Sequence, residues 1–235
     1  MNTGDKIKTS NANWSFSGDV PKNFDNHVSK SVPMYKQGHD LVCRLSDFFL
    51  ADNSKCYEIG SSTGELTKKI ASHNRYKKIS LVGVEPIKEM VDVSKNKCED
   101  FSNISFLTDD ILNVELEKSD LIVSYYTIQF IKPRVRQLVF NKIYESLNWG
   151  GAFILFEKVR ACDARFQDIM TALYTDYKLE QGYTEEEIIS KSRSLKGVLE
   201  PFSTQGNIDL LKRAGFVDIT TIFKYVSFEG FLSIK

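Results

Sequence analysis

An α/β fold with a mostly parallel sheet and helices on both faces is what this sequence predicts. Short apolar runs alternate with helix-patterned stretches four or five times between residues 55 and 157, the signature of βαβ units. The run Ala152 to Phe156 (AFILF) is continuously apolar, as in a strand buried on both faces. The chain has 235 residues, 42% of them hydrophobic and 26% charged, which suits one substantial folded domain.

Residues 1–13 are rich in Asn, Thr and Lys with little to bury, and read as a flexible tail. From Trp14 an arm through residue 50 interleaves aromatics with Gly and Pro. It ends in a helix from His39 to Phe49 that places Leu41, Val42, Leu45, Phe48 and Phe49 at spacings of three and four. Lys55 to Ile59 is a strand running into Gly60, and Glu65 to Ser72 is the helix that follows. Lys78 to Glu85, Ile104 to Leu107 and Asp120 to Tyr125 are further strands, with a helix carrying Met90, Val91 and Cys98 between the first two. Arg134 to Leu147 aligns Val135, Leu138, Val139, Ile143 and Leu147, and the pair Gly150-Gly151 is expected to stop that helix. After Glu157 the alternation breaks into a helical insertion, residues 158–205, whose first stripe is Phe166, Ile169, Met170, Leu173 and Tyr177. Residues 206–235 return to the sheet with a helix and two β-rich runs, so that residues 14–235 form a single domain.

The 31 basic and 31 acidic residues cancel, whereas a chain that grips bare phosphate backbone usually carries a basic excess. Nucleic acid is therefore not an expected direct partner. No run reaches the roughly 20 apolar residues of a membrane span, and nothing at the start resembles a signal peptide. Cys43, Cys56, Cys98 and Cys162 are scattered singles without metal-ligand spacing, so no metal site is expected and a cytoplasmic location is.

The informative segment is Tyr57-Glu58-Ile59-Gly60-Ser61-Ser62-Thr63-Gly64-Glu65. A strand that turns through glycine into a helix brings bare backbone and helix N–H groups to a ligand. Its G-x-x-x-G spacing departs from the G-x-G-x-x-G of dinucleotide folds, which argues against a dehydrogenase. Glu58 before it suits a ligand carrying an ammonium group. Glu85 closes the next strand, 25 residues beyond Gly60, where an acid accepts bonds from ribose hydroxyls. Asp109-Asp110-Ile111 follows the third strand, in place for an adenine amino group.

These pieces, with the later N-W-G-G-A-F-I-L segment, resemble the class I S-adenosylmethionine-dependent methyltransferases. Within them the chain is similar to the carboxy-S-adenosylmethionine synthase branch from Trp14 onward, through S-V-P-x-Y (Ser31 to Tyr35), T-I-Q-F (Thr127 to Phe130), N-K-I-Y (Asn141 to Tyr144), Glu157-Lys158 and Gly182-Tyr183. The resemblance implies a Rossmann-like seven-stranded sheet with a reversed last strand, and often a homodimer. It also implies S-adenosylmethionine as cofactor, S-adenosylhomocysteine as product, and contacts from Tyr35, Gly60, Ser61, Ser62, Glu85, Pro86, Asp110, Ile111 and Tyr125. Glu58 and Gly64 join that set from the loop itself. Tyr125 stands where the synthase branch has asparagine, and Ser192 where it has an arginine for a carboxylate. Arg193 replaces that arginine only if the backbone slips by one residue.

Methyl transfer needs alignment more than acid–base apparatus, with a base where the acceptor arrives protonated. Candidates for the base are His39, His27 and Glu157. His39 lies one helical turn beyond Tyr35, and Glu157 closes the AFILF strand at the ligand-binding edge. Tyr183 and Arg193 are expected on the substrate side. Transfer of a methyl group to a small molecule is the leading function. Synthesis of carboxy-S-adenosylmethionine using prephenate is the alternative, and a non-catalytic adenosyl-nucleoside-binding protein is a third.

Overall fold

The structure, a computed structural model, describes residues 1–18 and 20–235. Seven strands form one sheet in the order β3-β2-β1-β4-β5-β7-β6. They are β1 (Lys55–Ile59), β2 (Ser80–Val84), β3 (Ile104–Leu107), β4 (Ser119–Tyr125), β5 (Leu147–Lys158), β6 (Asp218–Tyr225) and β7 (Phe228–Ile234). The first five are parallel, and β7 runs antiparallel to both β5 and β6. This is the expected Rossmann-like sheet with its reversed last strand. The chain moves outward from β1 to β2 and β3, then returns to place β4 on the other side of β1. Crevices at such a reversal bind ligands at the carboxyl ends of the strands.

Side chains alternate across the sheet and sort the core into two layers. Tyr57, Ile59, Ile122, Phe153 and Leu155 pack with Val139, Phe140 and Ile143 of α5 (Pro133–Ser146) and Leu210 and Leu211 of α8 (Thr204–Ala214). Cys56, Leu121, Val123, Ile154 and Phe156 pack on the opposite face, against Val42 of α2 (Tyr35–Phe49) and Leu66 and Ile70 of α3 (Glu65–His73). A third cluster of Ile7, Trp14, Val20 and Met90 ties the N-terminal arm and α1 (Val20–Ser31) to α4 (Lys88–Lys97).

Four expectations need correction. Residues 1–13 are not a loose tail: Ile7 is buried, and Asp5 bonds to His27 and Lys30 of α1. The helix does not run to Gly150-Gly151; α5 ends at Ser146, and both glycines lie within β5, where the pairing with β4 shifts register. Gly150, at φ +81°, supplies the left-handed conformation that such an irregularity needs. Leu138 points outward at 56% exposure, and the buried face of α5 instead carries Arg136, whose guanidinium donates to the carbonyls of Ile131, Gln129 and Glu200. The stripe on α6 (Ala164–Glu180) is not a core face: Phe166, Ile169 and Leu173 are exposed.

Candidate active site

A cavity of about 1240 Å³ opens at the carboxyl edge of β1, β2, β4 and β5, roofed by the N-terminal arm, α6 and α7 (Glu185–Ser194). Its floor on one side is the glycine loop. After β1, Gly60 adopts φ +74°, and the amides of Gly60 and Ser61 both donate to the Val84 carbonyl at the end of β2. A β-carbon on Gly60 meets the Thr127 side chain, so only glycine lets the loop pass this close. Ser61, Ser62, Glu85, Pro86 and Asp110 line the same part of the cavity.

Glu85 is held from two sides. Its carboxylate accepts the Ser62 amide at 3.0 Å on one oxygen and the Ile87 amide at 3.0 Å on the other. Each oxygen keeps a further lone pair for a ligand hydroxyl. Burial raises its pKa, against the lowering effect of those two amides. Glu58 projects from β1 on the α3 side, where the Thr67 hydroxyl donates to it, and burial pushes its carboxyl up to about 8. A carboxyl poised there gains most from a cationic ligand group, which favours its ionised form. The Ser61 hydroxyl is buried beside them without a protein partner. A bare-backbone turn, two acids with spare acceptors and an orphaned hydroxyl fit an adenosyl nucleoside with an ammonium-bearing tail.

Tyr35 and Tyr125 also line the cavity, and the Tyr125 hydroxyl donates to the Tyr35 carbonyl at 2.8 Å. Gly38 makes room for that hydroxyl, which a β-carbon there would strike. Gly64 and Ile111 lie behind the lining. Gly64, at φ +76°, is the N-cap of α3, and the Ile111 side chain packs into the core while its neighbour Leu112 reaches the cavity.

Of the three base candidates, His27 lines the cavity, whereas His39 and Glu157 do not reach it. His39 is 1% exposed, wedged between the Tyr35 and Tyr125 rings at 4.4 and 4.6 Å, with both ring nitrogens unpartnered. Burial drives its pKa down to about 3, so the ring is neutral. Glu157 is sealed beneath the 3-10 turn Ile128–Phe130, its carboxyl pushed up to about 8 by burial despite the nearby charge of Arg136. Strand alternation sends Glu157 and Lys158 to opposite faces, and Lys158 is the residue that lines the cavity. Tyr183 is likewise out of reach, its hydroxyl bonded to Asp5 and Ser31. Arg193 faces outward, and one residue back on α7, a rotation of about 100°, Ser192 lines the cavity.

The residues missed in the sequence are cations. Lys158, Lys178 and Lys191 line the cavity, and among the described residues none of the three forms an ion pair with an acid. The ammonium groups of Lys158 and Lys178 stand 4.0 and 4.6 Å from the centroid of the Tyr174 ring. Burial lowers Lys158 to about 7 and Lys178 to about 8, and Lys191 well below the usual range. The one signal for Lys158 was the Glu157-Lys158 pair of the resemblance, because the apolar run before it shows no alternation. Nothing in the sequence placed the two lysines of the insertion.

Residues 57–151 match the family model of a methyltransferase domain. A carboxy-S-adenosyl-L-methionine synthase from Staphylococcus epidermidis is 38% identical over 223 residues, which cover 94% of this chain and 97% of that protein. The chain belongs to the carboxy-S-adenosyl-L-methionine synthase family. A synthase of the same name from Campylobacter lari is 36% identical, with 94% of each chain covered. Among solved structures, an S-adenosylmethionine-dependent methyltransferase described as putative, from Methanococcus maripaludis, superposes with a TM-score of 0.63 at 18% identity, covering 97% of both chains. An O-methyltransferase from Nostoc punctiforme, also described as putative, gives a TM-score of 0.66 at 15% identity, covering 92% of this chain and 59% of that longer one. These likenesses establish the fold, and the family makes the chain an S-adenosylmethionine-dependent transferase. Among the described residues, no helix is long and apolar enough to cross a membrane.

Proposed function

We propose that the enzyme carboxylates S-adenosylmethionine, taking the carboxylate from a small dianionic acid of the prephenate class. The observation that carries this reading is the group of three cavity lysines, Lys158, Lys178 and Lys191, that have no acid partner among the described residues. A buried cation without an acid partner is costly unless a ligand supplies the charge. S-adenosylmethionine brings one carboxylate against a sulfonium and an ammonium, too little negative charge for three lysines, whereas a dianionic co-substrate supplies it. The similarity to named synthases over 94% of the chain supports the same conclusion.

In this reading Glu85 takes the ribose hydroxyls, Glu58 faces the ammonium end, and Asp110 lies by the adenine. The sulfonium supplies a methyl carbon activated by the adjacent positive sulfur. Lys158 and Lys178 hold the co-substrate, whose ring carboxylate leaves as carbon dioxide while the electron pair of that C–C bond aromatises the ring and expels the ring hydroxyl as hydroxide. The hydroxide takes one methyl proton as water, and the methyl carbon bonds to the carbon of the carbon dioxide. The roof over the cavity keeps water from the reacting groups. The homodimer implied by the resemblance belongs to this proposal, and Phe166, Ile169 and Leu173 on the outer face of α6 are apolar residues such a contact can cover. So does a cytoplasmic location, which suits four free cysteines.

Methyl transfer to an anionic acceptor is the second reading, favoured by the uncharged Ser192 in the lining where the synthase branch carries arginine.

Titration of prephenate into protein saturated with S-adenosylhomocysteine tests the binding half. Burial lowers Lys158 to about 7 and Lys178 to about 8 in the free protein, so both are charged only well below pH 7, where they bind the anion fully. Affinity falls as pH rises through these values, because each lysine must then take up a proton on binding. An affinity indifferent to pH, and unchanged in Lys158→Met, contradicts the proposal.

A further inference from the structure

Lys191 differs from the other two cavity lysines in being aimed. Its Nζ stands over the Trp14 ring and 3.1 Å from His27 Nε2. On the far side of the imidazole, Nδ1 lies 2.9 Å from Asp5 Oδ2. A carboxylate only accepts, so Nδ1 carries the ring proton and Nε2 is left as an acceptor for Lys191. His27 is 4% exposed and stacked on Trp14 at 5.6 Å, and burial holds it neutral with a pKa near 4. Asp5 is fixed in turn by Asn26 and Lys30 of α1 and by the Tyr183 hydroxyl.

An ammonium has three donors. His27 takes one, the face of Trp14 occupies a second, and the third is left for the cavity that Lys191 lines. The charged groups acting on it are Lys178 across the cavity and Asp5 behind the imidazole. Ser192 beside it is neutral, and Arg193 faces away.

We propose that Lys191 anchors a carboxylate of the co-substrate, and that Asp5 of the N-terminal segment aims it through His27. Lys191 touches the ligand, while His27 and Asp5 are positioning residues. The inference rests on the reading of an anionic co-substrate and adds to it the residue that grips the anion and the chain segment that orients that residue. It makes residues 1–13 a working part of the site.

Trp14 provides a probe at the anchor itself. The chain has two tryptophans, and Trp149 is 88% exposed on β5, so Trp149→Phe leaves Trp14 as the sole indole. In that background the Trp14 emission is followed while prephenate, and separately malonate, is titrated in. Binding is expected to change the emission saturably, and Lys191→Met to weaken the response by about ten- to a hundredfold, the cost of losing a charged hydrogen bond. Lys191→Arg keeps the charge and retains most of the affinity, and Arg193→Met changes nothing. Asp5→Asn and His27→Asn weaken the anion, whereas His27→Gln, whose amide oxygen reaches toward Lys191, restores it. Affinity for S-adenosylmethionine stays unchanged in all of them, which reports an intact fold. A response to malonate but not to prephenate upholds the anchor and overturns the prephenate reading. No response to either anion, or a response that Lys191→Met leaves untouched, overturns the anchor.

Discussion

Glu85→Ala is expected to weaken S-adenosylmethionine binding by about 1–3 kcal/mol, which is roughly five- to a hundredfold in Kd. Two losses add. The ligand's ribose hydroxyls lose a carboxylate acceptor, and the Ser62 and Ile87 amides lose the group that gathers them. The second loss loosens the glycine loop itself, because the Ser62 amide adds to the Gly60 and Ser61 amides as a link to the end of β2. Glu85→Gln separates the two effects, since a carboxamide keeps one oxygen as acceptor. Its affinity should lie between those of the wild type and the alanine variant. Calorimetry gives the Kd, and circular dichroism shows whether each variant is folded. Unchanged affinity in a folded Glu85→Ala protein would place the ribose elsewhere.

Gly60→Ala is expected to cost both stability and binding, together about 2–4 kcal/mol. Part is the left-handed backbone at φ +74°, which costs a residue with a β-carbon about 1–2 kcal/mol. The rest is overpacking, because the new methyl group collides with the Thr127 side chain and must push the loop or the start of the 3-10 turn aside. The two parts separate in a double mutant. Thr127→Ala removes the two nearest obstructing atoms, Cγ2 and Oγ1, and leaves Cβ at 2.7 Å, so Gly60→Ala in that background should recover part of the collision cost and keep the backbone cost. Denaturation midpoints and S-adenosylmethionine affinities of the four proteins measure this coupling. Strict additivity between the two sites would contradict the packing account.

The part of the cavity around the glycine loop was legible in the sequence because it is built from local signals. A strand that ends in Gly60, and acids closing the next two strands, all sit on the carboxyl edge as soon as the βαβ pattern is recognised. Topology alone then brings Glu58, Glu85 and Asp110 together. The substrate half was less legible, for two physical reasons. The first is parity: on β5 a single residue decides between a sealed position and the cavity, and a continuously apolar run such as Ala152 to Phe156 carries no alternation to reveal it. Glu157 was chosen and Lys158 is the one that lines the site. The second is distance in the chain. Lys178 and Lys191 come from helices of the insertion, remote in the chain from the glycine loop, and α6 has no fully buried residue to fix its rotation. His39 shows a related trap. Its spacing from Tyr35 is right for a neighbour on the helix face, yet contact with a cavity-lining tyrosine put it behind that ring rather than in the cavity.

The most direct test of the whole account follows the methyl carbon. The enzyme is incubated with prephenate and S-adenosylmethionine carrying carbon-13 in its sulfonium methyl group, and the product is read by nuclear magnetic resonance and mass spectrometry. Carboxylation keeps the labelled carbon on the cofactor's sulfur, as a methylene bearing a carboxylate, and the cofactor gains the mass of carbon dioxide. That is the predicted result. Label leaving the sulfur for another molecule, with unlabelled S-adenosylhomocysteine left behind, would contradict it and make the enzyme a methyltransferase acting on an anionic acceptor.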